Sequence, residues 1–150
     1  MRAVTELTYL QLPPGSQPPD IGLGPFRAAV IVEASVSDDW RQRISKWLVD
    51  NRCLYMSAWG ADCARWDESV DRANLEDYAY GDIPDERFVF TSWHEKETLS
   101  DALFFVLYCA RHPTVELEHT LIIHISSESR EAYMLEQCAW LGKEYGPPEE

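Results

Sequence analysis

The chain has 150 residues, 45% of them apolar, and a formal net charge of −13. That length and apolar fraction suit one domain with its own core and exclude wholesale disorder. The charge opposes binding to nucleic-acid phosphates and anionic membranes, and the longest apolar run, ALFFVLYCA, falls far short of the ~20 residues of a membrane span.

Residues 1–26 read as an N-terminal arm. Val4–Leu12 is a candidate extra strand at one edge, and PPGSQPPDIGLGP after it holds five prolines and three glycines. Proline lacks an amide donor and glycine costs entropy, so this stretch is expected to drape over the surface as a linker. A first strand follows at Arg27–Ala34, apolar on both faces through Val30, Ile31 and Val32, as a central parallel strand would be. Ser37 is placed to cap a helix with Asp38 and Asp39 in its first turn; Trp40, Ile44, Trp47 and Leu48 form its buried stripe and Asn51 its stop.

Cys53–Ala58 is the second strand, Gly60 marks the turn after it, and Asp62 is expected to cap a helix over Cys63–Glu76. Asp77–Glu86 reads as a loop and Arg87–Ser92 as the third strand. Thr98 with Asp101 resembles a capping box for a helix over Leu99–Arg111. That helix is apolar nearly all round and is expected to be the most buried one; Pro113 ends it. Thr120–Ile125 is the fourth strand, with Ser126 or Ser127 capping a last helix over Glu128–Leu141. The domain is thus expected over 27–142, with 143–150 a flexible tail.

The strand starts lie 26, 34 and 33 residues apart, the length of strand–helix–strand units. The expected fold is α/β: three layers, with a four-stranded, mainly parallel sheet of flavodoxin or Rossmann type and an optional N-terminal edge strand. By analogy with flavodoxin-like sheets, the expected spatial order is second, first, third, fourth strand.

Ligands of such sheets bind beyond the carboxyl ends of the strands. The residues expected there are Glu33, Ser35 and Ser37; Trp59, Gly60, Asp62 and Cys63; Ser92, Trp93, His94 and Glu95; and His124, Ser126 and Ser127. Many serve the helix starts, which require caps and acids in any case. A nucleotide site is disfavoured. The turn after the first strand, EASVSDD, has no glycine and puts two acids where a phosphate would sit, and no GxGxxG or GxxxxGK[ST] occurs. No cofactor is therefore expected. No metal is expected either, because the histidines match no standard ligand spacing.

One enzymatic arrangement is conceivable. Cys63 in the first turn of a helix would be the nucleophile and His94 its base, with Asp62 beside them opposing thiolate formation. The four cysteines form no CxxC, and the N-terminus lacks a signal-type apolar core, so the expected setting is the reducing cytoplasm.

Charge is placed unevenly. Residues 62–101 hold twelve acids against four bases. In and beside this segment, Trp59, Tyr78 and Tyr80 accompany Asp67, Asp71 and Asp82. Aromatic anchors in an acidic field fit the recognition of a basic protein surface, since charge speeds encounter and buried rings hold the complex.

YMSAWGADCARWDESVD (55–71) and RFVFTSWHEKETLSDALFF (87–105) resemble an uncharacterised group of small acidic α/β proteins from bacteria. The resemblance covers 27–141 and rests on Trp59-Gly60, Asp62-Cys63, Trp66-Asp67 and Trp93-His94-Glu95. It implies a bacterial cytosolic setting and transfers no chemistry. The leading expectation is a non-enzymatic module that neutralises or regulates a basic protein partner, as an immunity protein does. The alternative is a small cytosolic enzyme using Cys63, His94 and Asp62.

Overall fold

The computed structural model describes residues 6–146. Five strands form one sheet, and every pairing is parallel. The strands are β1 (Glu6–Leu12), β2 (Phe26–Val32), β3 (Cys53–Gly60), β4 (Phe90–His94) and β5 (His119–Ile125). The helices are α1 (Asp38–Asp50), α2 (Cys63–Glu76), α3 (Leu99–Tyr108) and α4 (Glu131–Tyr145).

The spatial order is β1-β5-β2-β3-β4, which corrects the flavodoxin-like order; the optional N-terminal edge strand is present and makes the sheet five-stranded. The physical reason lies in which strands need cover. β2 is buried at all seven positions and β5 at six of seven, so each needs a neighbour on both sides. β1 and β4, buried at one position each, tolerate the edges. The N-terminal stretch is therefore an edge strand alongside β5, paired over Glu6–Leu12; Val4 and Thr5 lie outside the described residues.

Side chains alternate across the sheet and build two cores. Phe26, Ala28, Val30 and Val32 meet Trp40, Ile44 and Leu48 of α1 and Trp66 and Val70 of α2. Ala29, Ile31 and Ile122 meet Leu103 and Val106 of α3 and Met134, Cys138 and Leu141 of α4. Trp40 and Trp66 lie edge to face at 6.3 Å, a geometry favoured by the ring quadrupoles. The proline-rich stretch packs on α1 as the draped arm requires: Ser16 O and Pro19 O accept the indole N–H groups of Trp40 and Trp47.

Caps and boundaries follow local chemistry. Ser37 Oγ accepts from the amide of Trp40 and Thr98 Oγ1 from that of Asp101, as expected from sequence. The third predicted strand starts three residues late because α2 takes its first residues. The buried side chain of Asn74 donates to Arg87 O and accepts from Val89 N, so this stretch bonds to the helix before it reaches β3. α3 also ends early, at Tyr108, where Arg27 donates to Leu107 O in its last turn and to Ala110 O just beyond it. It buries only Ala102, Leu103 and Val106, against six residues for α2, so the expectation that it is the most buried helix is corrected. Its other apolar residues, Leu99, Phe104, Phe105, Leu107 and Tyr108, are half-buried against the same core.

α4 starts at Glu131, after a turn in which Ser126 Oγ and Ser129 Oγ accept from the amides of Glu128 and Glu131. It runs to Tyr145 and so takes in the start of the expected tail, because the Tyr145 ring packs on Phe104 at 5.2 Å. Residues 147–150 lie outside the described residues. Among the described residues no helix is long and apolar enough to cross a membrane.

Candidate functional site

Because all strands run the same way, their carboxyl ends share one rim. The register aligns His124, Ile31, Trp59 and His94 in one row across β5, β2, β3 and β4. At ~4.8 Å between neighbouring strands, the two histidines stand about 14 Å apart along the row. Each is buried and each is bonded to a carboxylate.

The denser group lies where β5 and β2 adjoin. The helix that follows β2 packs on one face of the sheet and the helix that follows β5 on the other, which makes this the topological switch point. His124 is 0% exposed. Its Nε2 lies 2.6 Å from Glu33 Oε1 and its Nδ1 lies 2.6 Å from the Tyr9 hydroxyl. A carboxylate only accepts, so Nε2 carries the proton. Tyr9 already accepts from the Arg130 amide at 3.0 Å, so its own proton turns to Nδ1. Arg130 donates to both oxygens of Glu33 at 3.3 Å and lies over the Tyr133 ring at 4.2 Å. Four elements are joined: β1, the turn after β2, β5 and the start of α4. Sequence reading finds Glu33 and His124 but misses Tyr9 and Arg130. Tyr9 falls in a stretch set apart as an arm, and a lone arginine before a helix carries no pattern.

The second group lies on β4. His94 Nδ1 is 2.9 Å from Glu97 Oε2, and Ser92 Oγ lies 3.5 Å from His94 Nε2 and 3.3 Å from Ser57 Oγ. The order of groups is that of a serine–histidine–carboxylate chain. Yet the serine contact sits at the limit of hydrogen bonding, and Phe105 packs on the imidazole at 4.6 Å. The ring is held rather than presented.

Cys63 and His94 are neighbours without forming a dyad. Cys63 belongs to the core under α1 and α2, whereas the His94 ring lies on the opposite face against Phe105 of α3. Burial pushes the Cys63 thiol up, Glu95 pushes it further, and the amides of Ala64, His94 and Cys63 pull it back only in part. Asp62, exposed and in left-handed conformation (φ 54°), precedes α2 but makes no side-chain cap bond. Cys53 and Cys138 are pushed up by burial to about 12 and about 11. Cys109 alone is exposed. A thiol-specific reagent at neutral pH should therefore label one thiol, Cys109, quickly in the native protein and all four after denaturation. Fast, selective labelling of Cys63 would revive the nucleophile.

The acidic surface is also redistributed. Trp59 turns inward: it packs in the core under α3 and donates its indole N–H to Glu97 O at 2.7 Å. Tyr78 is half-buried, as is Asp67, while Asp71 accepts from Thr91 Oγ1 at 2.9 Å. Desolvation raises the Asp71 carboxyl, with Asp67 adding to the shift and the Thr91 bond opposing it. Tyr80 (63% exposed) and Asp82 do face solvent. Within this acidic segment, the exposed rings that sequence reading does not count as anchors are Phe88 and Trp93, 42% and 47% exposed. Strand alternation is the available signal: Trp93 pairs with Ala58, next to Trp59 paired with His94, so the two tryptophans take opposite faces.

A cavity of about 730 Å³ opens at the other end of the sheet, bordered by Glu6, Arg27 and His119 at the strand starts. Its buried guanidinium is the one that ties off α3, so the hollow lies where that helix stops short of the sheet. It is remote from both histidine groups.

The chain belongs to the family of the domain of unknown function DUF7684, whose model matches residues 7–140. That match takes in β1 and reaches into α4, so the N-terminal edge strand is part of the family unit. No curated protein and no solved structure matches it.

Proposed function

We propose that the chain is a non-enzymatic acidic module that binds a basic protein partner and neutralises or regulates it, in the manner of an immunity protein of the bacterial cytoplasm. In this reading the two helix pairs are the outer layers of a three-layer sandwich whose β4 side meets the partner. One observation carries it: Tyr80, Phe88 and Trp93 stand exposed within a segment, 62–101, that holds twelve acids against four bases. Large rings left in water cost about 25 cal/mol per Å² of apolar area, and anchors of this type dominate protein interfaces. The surrounding acids supply the steering field. The enzyme built on Cys63, His94 and Asp62 has less behind it, since that thiol is pushed away from its reactive form.

The test starts from a partner captured at low salt. Its association rate should fall about tenfold between roughly 50 and 500 mM salt, and again in the exposed charge reversals Glu68→Lys and Asp82→Lys. A partner whose rate ignores both salt and these reversals removes the proposal.

A further inference from the structure

We propose that the outer edge of β4 receives an extended basic segment of the partner, which adds as a sixth strand. The inference rests on the acidic-module reading and gives it a mode of attachment. Among the described residues β4 is the last strand of the sheet and pairs with β3 alone, so its other side has no strand partner. Proteins usually blunt such edges with a lysine, a proline or a bulge. β4 reads FTSWH: it has none of Lys, Arg, Asp, Glu or Pro, and its register with β3 is unbroken. The opposite edge, β1, opens on Glu6 and exposes no large apolar side chain.

Rings and acids flank this one bare edge. Trp93 lies on the α2 face of the sheet, and Phe88 packs on Phe90 at 4.9 Å. Asp71 bonds to Thr91 on the strand itself, Asp85 and Glu86 precede it, and Glu95 and Glu97 follow it. An added strand points alternate side chains to the two faces. Lysine or arginine on the Trp93 face would meet an indole and nearby carboxylates, while apolar residues on the other face would cover Phe88 and Phe90. Charge chooses the occupant. A second copy would bring the same acidic segment against this edge, whereas a basic chain relieves the repulsion.

The probe is a ten-residue peptide of alternating lysine and valine with blocked ends, titrated against the intact chain in about 50 mM salt. Two further peptides carry N-methyl groups on the odd or on the even amides. They keep charge and side chains but remove donors from one side of the strand. The expected result is saturable binding by the parent, loss of at least about tenfold in one N-methyl register and not the other, and slowed hydrogen exchange confined to β4 amides. Trp93→Ala should weaken the parent about fivefold. The peptide arms leave the protein unaltered, so a folding defect cannot imitate the outcome. Equal binding by all three peptides overturns strand addition while leaving the acidic module intact. Failure of the parent to bind overturns strand addition as well, and if no basic partner binds in a salt-dependent way the module falls with it. A dimer whose contact protects β4 makes a second copy the occupant and overturns the proposal.

Discussion

Gly60→Ala is expected to destabilise the fold by about 3 kcal/mol or more, read as a fall in Tm of about 10 °C. Gly60 ends β3 with φ +103°, a conformation that L side chains rarely adopt. A Cβ there would lie 2.1 Å from Val32 O, 3.0 Å from Val32 C and 3.2 Å from Val32 N. These are backbone atoms of the central strand, so no side chain can swing aside to relieve the overlap. The strand ends must part, and they are held by Ala61 N donating to the same Val32 O at 2.9 Å. Backbone strain and overpacking therefore act together on one bond. The disturbance should also reach the rim, because Trp59 precedes Gly60 and anchors the turn after β4 through Glu97 O. An altered tryptophan fluorescence of the folded variant would report that second effect. A Gly60→Ala protein melting within about a degree of the parent would show that the strand end tolerates a side chain.

The Trp-Gly pair illustrates what a sequence reader can and cannot reach. A glycine after an apolar strand announces a turn. That the turn brings its backbone against a neighbouring strand depends on strand order, which local pattern does not encode. Alternation, caps and spacing make the α/β class, three of the helix starts and the shared rim of Trp59 and His94 legible. Strand order follows instead from a comparison among strands: β2 and β5 are the ones apolar on both faces, and they take the centre. The N-terminal stretch is easily underweighted because its prolines lie just after it, where they end the strand without interrupting it.

The candidate site is legible by position and less so by partner. His94 and Cys63 are near each other along the rim, as the spacing predicts, but face alternation separates their side chains. Glu97, three residues beyond His94, takes the imidazole nitrogen that sequence reasoning assigns to a thiol. Exposure is hardest of all. Trp59 and Trp93 end adjacent strands, and only the pleat decides that the first is packed inward and the second stands in water.

The switch-point network should be the most strongly coupled polar group in the molecule, and a double-mutant cycle on Tyr9 and His124 should show it. His124→Leu alone is expected to cost about 2–4 kcal/mol. Leucine fills most of the imidazole volume, so the cost comes from the groups left behind. The Tyr9 hydroxyl loses the acceptor for its proton, and Glu33 loses a 2.6 Å donor and keeps only Arg130. Tyr9→Phe alone should cost about 1–2 kcal/mol, because it orphans both His124 Nδ1 and the Arg130 amide at the start of α4. With both replaced, the Tyr9–His124 bond is gone from each side at once, and less remains unpaired than the single variants imply. The double variant should therefore be more stable than the sum of the singles predicts, by about 1 kcal/mol or more. Hydrogen exchange adds the location: amides of β1 should open first, since Tyr9 and Gln11 are its side-chain ties to the rim and the variants remove the first of them. Additive single effects would mean that the two hydrogen bonds act independently, and that β1 is held by its backbone ladder to β5 and by Gln11 Nε2 donating to Ser126 O.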